Sequence, residues 1–477
     1  MQQGNAARNS SALTRRILSA MGLFTSVESL NMFCSVVRTK LAALWLGSAG
    51  IGMLGLFNTV IELLGNISQL GVRTTAVRHI AASSGTRREQ VMKFVMSYGR
   101  WLAFLGIVIA IALSPLLSFI TFGDFSQAHN FMMLSAAVGC NTLIATRSAV
   151  LQGSGQLKTL AKASVWGAVA SLVLSVPFIY FWRMEGIVPL ILTYSVVTLI
   201  AYQIFSRNSG ATAIKLPPEE IRTMTRTMIR LGVYLSVSGA SGWLASYVIM
   251  SFLHYAGGDR IMGLYQAGYS ITIRYVGVVF TALSLEYFPR LTASFESGAK
   301  RGTTMLRHET MLSTAVVTAL SAIMIPFAQL IVKILYKDTF IDIVPMIVLA
   351  APGIVLRAVS FTMGYVILAK GRGKMYLTCE TLSALVCIIA TCGGYHLYGI
   401  PGLGAAFTLW YLAYTLMVWF IISHWLSVHP GTKIAVRSTV ATVAVALVAA
   451  SHFALPEWSV IIIGLIVSVS ALLYMKK

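Results

Sequence analysis

Charged residues are scarce in this chain of 477 residues: only 11% are Asp, Glu, Lys or Arg, against about 25% in soluble domains. That shortage excludes a water-soluble globular domain. Acidic residues are scarcer still, 15 against 36 Lys and Arg, for a formal net charge of +21. In a soluble protein such a balance would raise nucleic-acid binding. Here the basic residues fall between apolar runs and build no continuous face, which argues against nucleic acid as a partner. Cysteine is limited to Cys34, Cys140, Cys379, Cys387 and Cys392, all in apolar stretches; none has metal-ligand spacing to a histidine, and none sits where a disulfide would help. The eight histidines are scattered without an HxxxH pair, so neither a metal nor a cofactor is expected. No GxSxG motif lies in a suitable context. The run Lys370-Gly371-Arg372-Gly373-Lys374 lacks the spacing and the following Ser or Thr of a phosphate loop and reads as a tight basic turn. No small-residue cleavage site follows a short apolar core after Arg8, Arg15 and Arg16, so a retained first helix is expected there, not a removed signal peptide.

Long apolar stretches are what the chain has in abundance, with 57% hydrophobic residues. A membrane-crossing helix needs about 20 of them. Fourteen runs qualify, near 24–46, 50–70, 94–120, 130–150, 160–181, 187–206, 228–253, 261–287, 309–335, 341–368, 376–397, 402–426, 434–454 and 457–475. The chain is therefore expected to be all-α and polytopic, with about 14 transmembrane helices. Alternate connections separate by charge. One set carries Arg8, Arg15 and Arg16, then Arg73, Arg78, Arg87, Arg88 and Lys93, then Arg147, Lys158 and Lys162, and so on to Lys476 and Lys477. The other carries little beyond Arg183, Arg260, Lys333 and Lys337. Basic residues collect on the cytoplasmic side, which places both termini there. The outer connections are short, such as Gly47–Gly50, Trp182–Gly186 and Ala256–Arg260, and leave no room outside for a folded catalytic domain.

The longest inner connection contains Pro217-Pro218-Glu219-Glu220 followed by Ile221, Met224, Met228 and Ile229. Proline followed by acid marks a helix start, and the apolar spacing predicts a short amphipathic helix at the cytoplasmic interface. On this reading residues 1–23 are a cytoplasmic tail, 24–206 a six-helix lobe, 207–227 a linker helix, 228–427 a second six-helix lobe and 428–477 an additional helix pair. The lobes carry related segments. Gly52-Met53-Leu54-Gly55-Leu56 opens the second run and Ile261-Met262-Gly263-Leu264-Tyr265 the eighth; Gln152-Gly153-Ser154-Gly155 closes the fourth and Lys370-Gly371-Arg372-Gly373 the tenth. A six-helix repeat keeps its orientation, so two parallel bundles around a central cavity are expected, as in transporters.

Cations inside the apolar runs are the chemistry-bearing feature. Arg38 lies about 14 residues past Phe24, roughly 21 Å along a helix axis. Arg274 and Arg357 fall similarly deep in the eighth and tenth runs, while Lys40 is nearer the outer end and within snorkelling reach. An intramembrane charge is costly unless it meets a partner or a wet cavity. The planar fork of arginine suits phosphate oxygens. Arg38, Lys40, Arg274 and Arg357 are therefore expected to bind an anionic substrate such as a pyrophosphate. Glu62 is the one mid-run carboxylate, either a counter-ion to Arg38 or a proton-coupling site. Asn31, Asn58, Asn66, Tyr269 and Tyr275 are the polar side chains expected to meet sugars.

Arg38-Thr39-Lys40-Leu41-Ala42 through Leu46-Gly47-Ser48-Ala49-Gly50, Gln69-Leu70-Gly71-Val72-Arg73 through Arg78-His79-Ile80-Ala81, Leu151-Gln152-Gly153-Ser154-Gly155 and Tyr287-Phe288-Pro289-Arg290 together resemble the O-antigen and polysaccharide translocases of the multidrug/oligosaccharidyl-lipid/polysaccharide exporter superfamily. The resemblance covers nearly the whole chain and rests on the joint order of short, degenerate motifs. It implies a flippase, not an enzyme, that moves undecaprenyl-pyrophosphate-linked oligosaccharide (an O-antigen, common-antigen or capsule repeat unit) from the cytoplasmic to the periplasmic leaflet of a bacterial inner membrane by alternating access. It implies membrane lipids as surroundings, with a glycan polymerase and chain-length machinery as further candidate partners. Arg38 matches the first-span arginine of the related peptidoglycan-precursor flippases, in which the last two of fourteen spans form a lipid-facing groove. Two alternatives stand beside this reading. A drug/cation antiporter of the same superfamily would want an acidic interior, and a membrane glycan polymerase would want a sizeable outer loop.

Overall fold

A computed structural model describes residues 26–206 and 216–473, the side chains of Ser238, Ala282 and Leu285 aside. The N-terminal tail with Arg8, Arg15 and Arg16, the first part of the linker and Lys476 and Lys477 lie outside the described residues. The described chain is all-α and contains no strand.

Three long helices each hold two of the expected spans. Helix Ser26–Gln69 breaks at Gly47 (φ 68°, ψ −161°) into arms α1 and α2. Helix Pro218–Tyr269 breaks at Gly258 (φ 72°, ψ −176°) into α7 and α8, and α8 continues through Ser270–Tyr275 and Val276–Glu296. Helix Gly373–Phe420 breaks at Gly399 (φ 61°, ψ −139°) into α11 and α12. A left-handed φ at these positions is strained for any residue with a Cβ, so one glycine replaces what would otherwise be a loop. All three lie inside connections that the sequence marks as short. The other spans are α3 (Gly85–Phe122), α4 (Ala128–Gly153), α5 (Leu157–Trp182), α6 (Ile187–Phe205), α9 (Ala299–Met324), α10 (Val344–Ala369), α13 (Thr432–Ala454) and α14 (Glu457–Leu473). Among the described residues the fourteen apolar runs thus all appear as helix, and the chain is a multi-pass membrane protein.

The ninth run differs from the straight span expected over 309–335. After Met324 the chain turns through 80° into a short helix, Ala328–Leu335. Pro326 sits in the break; it has no N–H for the helical ladder and its ring clashes with the preceding turn.

The chain divides into two compact units, Met1–Leu46 with Leu56–Trp243, and Gly47–Gly55 with Leu244–Lys477. In the first unit α3 packs on α4, α5 on α6 and α4 on α6. Beneath them a short helix, Val72–Ala81, buries Val72, Ala76 and Ile80 in a cluster with Val95, Leu102, Met224 and Met228. Helix α7 begins at Pro218, where the sequence marks a start, and runs unbroken to Gly258. Its apolar stripe of Ile221, Met224 and Met228 is turned onto that cluster. Of the face that reads from sequence as a membrane-surface stripe, Ile221, Met224 and Met228 are covered by protein and Ile229 is exposed.

In the second unit α10 is the central helix, apolar on nearly every side and packed against α8, α9, α11 and α12. Helices α13 and α14 both pack on α9. The connection into α13 is fixed by cations donating to backbone carbonyls: Lys370 Nζ to Leu426 at 2.8 Å and Arg307 Nε to Pro430 at 2.7 Å. Gly52 and Gly263, the glycines of the matching repeat segments, touch within this unit. A Cβ on Gly263 would stand 1.7 Å from the Ser48 carbonyl oxygen, and one on Gly52 would stand 2.8 Å from the Gly263 nitrogen. The shared motif therefore has a packing cause: two helix starts meet backbone to backbone.

Candidate functional site

Of the residues singled out from the sequence, Arg38, Lys40 and Glu62 belong to the first unit and Arg274 and Arg357 to the second. Arg38 is half-buried on α1, and its guanidinium carbon stands 4.3 Å from the ring centroid of Tyr194 on α6. No ion pair among the described residues includes Arg38. A cation held over a ring face is worth about 0.5–2 kcal/mol, and a guanidinium has five N–H donors with which to meet an anion. One helical face of α1 also carries Asn31, whose amide donates to Ser164 Oγ at 2.9 Å. Lys40 is half-buried, two residues beyond Arg38. Glu62 is exposed on α2, one turn before Asn66, whose amide donates to the Glu62 carbonyl at 3.0 Å.

In the second unit, Arg274 lies exposed within a π-helical segment, Ser270–Tyr275, inserted in α8. Such segments are uncommon and recur at functional sites. Arg357 on α10 donates from Nη1 to the carbonyl of Ile273, the residue before Arg274, at 3.1 Å. The same guanidinium lies 4.7 Å from the centroid of Phe280 and 6.0 Å from that of Tyr411. Arg357 thus links the π segment to the aromatic side of α12.

Beside it is a cavity of about 170 Å³ lined by three elements of this unit. Helix α10 supplies Arg357, Ser360, Phe361, Gly364, Tyr365 and Leu368, a single stripe at helical spacing. Tyr376 and Glu380, one turn apart, come from α11; Tyr411 and Tyr414 come from α12. Tyr414 donates its hydroxyl to Glu380 Oε1 at 2.5 Å. Guanidinium, carboxylate and four tyrosines therefore converge on one small space. The sequence points to Arg357, whereas Glu380, near the start of its apolar run, does not stand out there. The signal for the rest was present in the spacings Tyr376-x3-Glu380, Tyr411-x2-Tyr414 and the 357–368 stripe. It was hidden because tyrosines at helical spacing are ordinary core residues in an apolar span.

A larger groove of about 420 Å³ lies between α9, α13 and α14. Its walls are mostly apolar, with Met311, Ala315, Val440, Ala444 and Ile466 among them, and its charged or ionisable members are His308 and Arg437. None of the cations expected to bind substrate lines it.

Comparison with known proteins places the fold. A family model described as polysaccharide biosynthesis protein matches residues 18–295. A solved structure of the lipid II flippase MurJ in an inward closed conformation aligns over 94% of this chain and 97% of its own, at 12% identity and a TM-score of 0.70. An inward-facing multidrug resistance MATE family transporter of the MOP superfamily aligns over 86% of this chain and 95% of its own, at 16% identity and a TM-score of 0.69. A MOP superfamily transporter from Pyrococcus furiosus, described as having a binding pocket of reversed polarity that suggests a different function, aligns over 91% and 96% at 15% identity and a TM-score of 0.59. A search of curated protein sequences finds no match. At such identities the structural likeness defines the fold and leaves the substrate to the side chains.

Proposed function

The chain belongs to the polysaccharide biosynthesis protein family, and we propose that it is a flippase for undecaprenyl-pyrophosphate-linked oligosaccharide, an O-antigen, common-antigen or capsule repeat unit. It carries the head group from the cytoplasmic to the periplasmic leaflet of a bacterial inner membrane, with both of its own termini in the cytoplasm. The observation that carries the reading is Arg38, a half-buried cation in an apolar span that rests on Tyr194 and joins no ion pair among the described residues. Its N–H edges suit the oxygens of a pyrophosphate. Arg274, exposed on its π-helical segment, and Lys40 supply further positive charge, and Arg357 contributes to the substrate path at its cavity. Glu62 serves as a counter-ion or a coupling carboxylate. The groove between α9, α13 and α14 suits a polyprenyl tail, because its walls are apolar and its ionisable side chains few. The two units act as the moving halves of an alternating-access cycle. A glycan polymerase and chain-length machinery would receive the product on the far side.

A second reading has one observation in its favour. Glu380 among tyrosines is the kind of acidic, aromatic setting that attracts an organic cation, as a drug/cation antiporter requires. Arg357 in the same cavity works against it by like-charge repulsion.

Deleting the gene and analysing the glycans separates the two. A flippase leaves lipid-linked repeat units stranded on the cytoplasmic leaflet and the surface glycan missing. Normal surface glycan together with lost efflux of cationic dyes would favour the antiporter.

A further inference from the structure

The cavity between α10, α11 and α12 holds a donor-only and an acceptor-only group together. Arg357 has five N–H donors and no acceptor, and one donor is engaged by Ile273. Glu380 accepts from Tyr414, and an ionised carboxylate offers about four acceptor sites. A pyrophosphate brings acceptors and negative charge, so Glu380 opposes it. An organic cation brings positive charge, so Arg357 opposes it. A neutral polyhydroxyl ring satisfies both, since each hydroxyl donates to the carboxylate and accepts from the guanidinium. Much of the remaining wall is aromatic, beside Ser360, Gly364 and Leu368: Phe361 and Tyr365 have ring centroids 4.9 Å apart, and Tyr411 and Tyr414 6.5 Å apart. Rings of this kind cover the C–H faces of a sugar, and the Tyr414 hydroxyl is engaged by Glu380. The size agrees. A volume of about 170 Å³ is that of roughly six water molecules, enough for one sugar ring and too little for an oligosaccharide. Gly364 keeps it open, because a Cβ there would meet only Tyr414 Oη, at 3.8 Å.

We propose that this cavity is a saccharide subsite that takes one neutral sugar ring of the transported glycan and discriminates against acidic sugars through Glu380. The proposal rests on reading the chain as a flippase for lipid-linked glycan, and it moves Arg357 from the pyrophosphate to the sugar.

The test uses the purified full-length protein in lipid nanodiscs and saturation-transfer NMR with the methyl glycosides of glucose, galactose, N-acetylglucosamine and glucuronic acid. At least one neutral glycoside should receive saturation from the protein, and the glucuronide should bind about tenfold more weakly or worse, a difference of the size expected for one unfavourable charged contact. Gly364→Leu, which fills the cavity, should remove the neutral signal, while Gly364→Ala should keep it. Glu380→Gln, nearly isosteric, should admit the glucuronide, a gain that misfolding cannot produce. Equal signals from wild type and Gly364→Leu, a glucuronide that binds as well as the neutral sugars, or silence from every neutral glycoside would overturn the proposal. Cells separate the two readings. If Glu380→Gln and Gly364→Leu export the native glycan like wild type while deletion stops export, the subsite falls and the flippase stands. If deletion leaves export intact while the neutral glycosides still saturate through this cavity, the flippase falls and the saccharide site stands.

Discussion

The pairing of Arg38 with Tyr194 sets an order of effects that can be measured. The ring centroid lies 4.3 Å from the guanidinium carbon; on the proposed reading the ring steadies the cation and its N–H groups meet the substrate. A bidentate contact with a pyrophosphate is two charge-assisted hydrogen bonds, each worth about 1.5–3 kcal/mol. Arg38→Ala removes both and should lower export by about 10²–10⁴-fold. Arg38→Lys keeps the charge but makes no fork and stacks less well, so a loss of about one such bond, on the order of 10–150-fold, is expected. Tyr194→Leu leaves the arginine and removes only the cation–π term of about 0.5–2 kcal/mol, a loss of about 2–30-fold. The assay is the ratio of surface glycan to lipid-linked precursor, normalised to the amount of each variant in the membrane. Export at the wild-type level by a well-expressed Arg38→Ala protein would refute the role. A Tyr194→Leu defect larger than that of Arg38→Ala would refute the geometry, since the ring would then act on something other than the cation.

The role of Glu62 is read from a double-mutant cycle on the same export ratio: if it is the counter-ion of Arg38, the effects of Arg38→Ala and Glu62→Ala should be non-additive, whereas strict additivity would assign Glu62 elsewhere. Gly263→Ala places a methyl group 1.7 Å from the Ser48 carbonyl and should destabilise the protein by about 1–3 kcal/mol or more, seen as a lower melting temperature in detergent; an unchanged melt would contradict the close approach. Ala444→Trp, in the wall of the α9–α13–α14 groove, should weaken binding of a long polyprenyl phosphate more than of a short-chain analogue, and equal effects on both would separate the groove from the tail. Burial, and then the neighbouring Arg78, hold the imidazole of His79 below the ordinary histidine range. The unfolded chain therefore binds the proton first, and stability that is complete above about pH 6.5 falls as the pH drops below it. His79→Asn should flatten the acid side of the melting profile, and an unchanged slope would exclude this histidine as the cause.

The helices were legible because length and hydropathy alone decide which segments can cross a bilayer, and each apolar run does become a helix. The turns at Gly47, Gly258 and Gly399 were legible as short connections; that a single left-handed glycine makes each was not, because glycine is common throughout the chain. Pro326 carried a readable signal, yet a kink and an 80° turn look alike in sequence. The stripe of Ile221, Met224 and Met228 shows a more general limit. Periodicity reports that a face is apolar and does not report whether lipid or protein covers it; here Val72 and Ile80 do. The deep arginines stood out against apolar neighbours, whereas Tyr365, Tyr376, Tyr411 and Tyr414 did not, since tyrosine blends into any membrane helix. Their convergence on Glu380 depends on the packing of α10 against α11 and α12, which no local pattern encodes.

This contrast bears on how substrate choice is built into the fold. A drug exporter and a lipid II flippase share this backbone with TM-scores of 0.69 and 0.70, so the helices cannot be what separates their substrates. What differs must be carried by a few polar side chains on equivalent frames. In this chain the side chains proposed for that role are of two kinds. Arg38 rests on a ring, with no carboxylate among its ion pairs in the described residues, and is suited to an anion. Arg357 shares its cavity with Glu380 and four tyrosines and is suited to neutral hydroxyls. On the proposed reading the substrate carries an anionic group and a polyhydroxylated part. A lipid pyrophosphate alone meets only the first condition, and a free sugar only the second. A pyrophosphate-linked glycan carries both groups, and so on the proposed reading it should displace a neutral glycoside from the Arg357 cavity, which undecaprenyl pyrophosphate should not. If undecaprenyl pyrophosphate competes as strongly as its glycosylated form, the cavity contributes nothing to recognition.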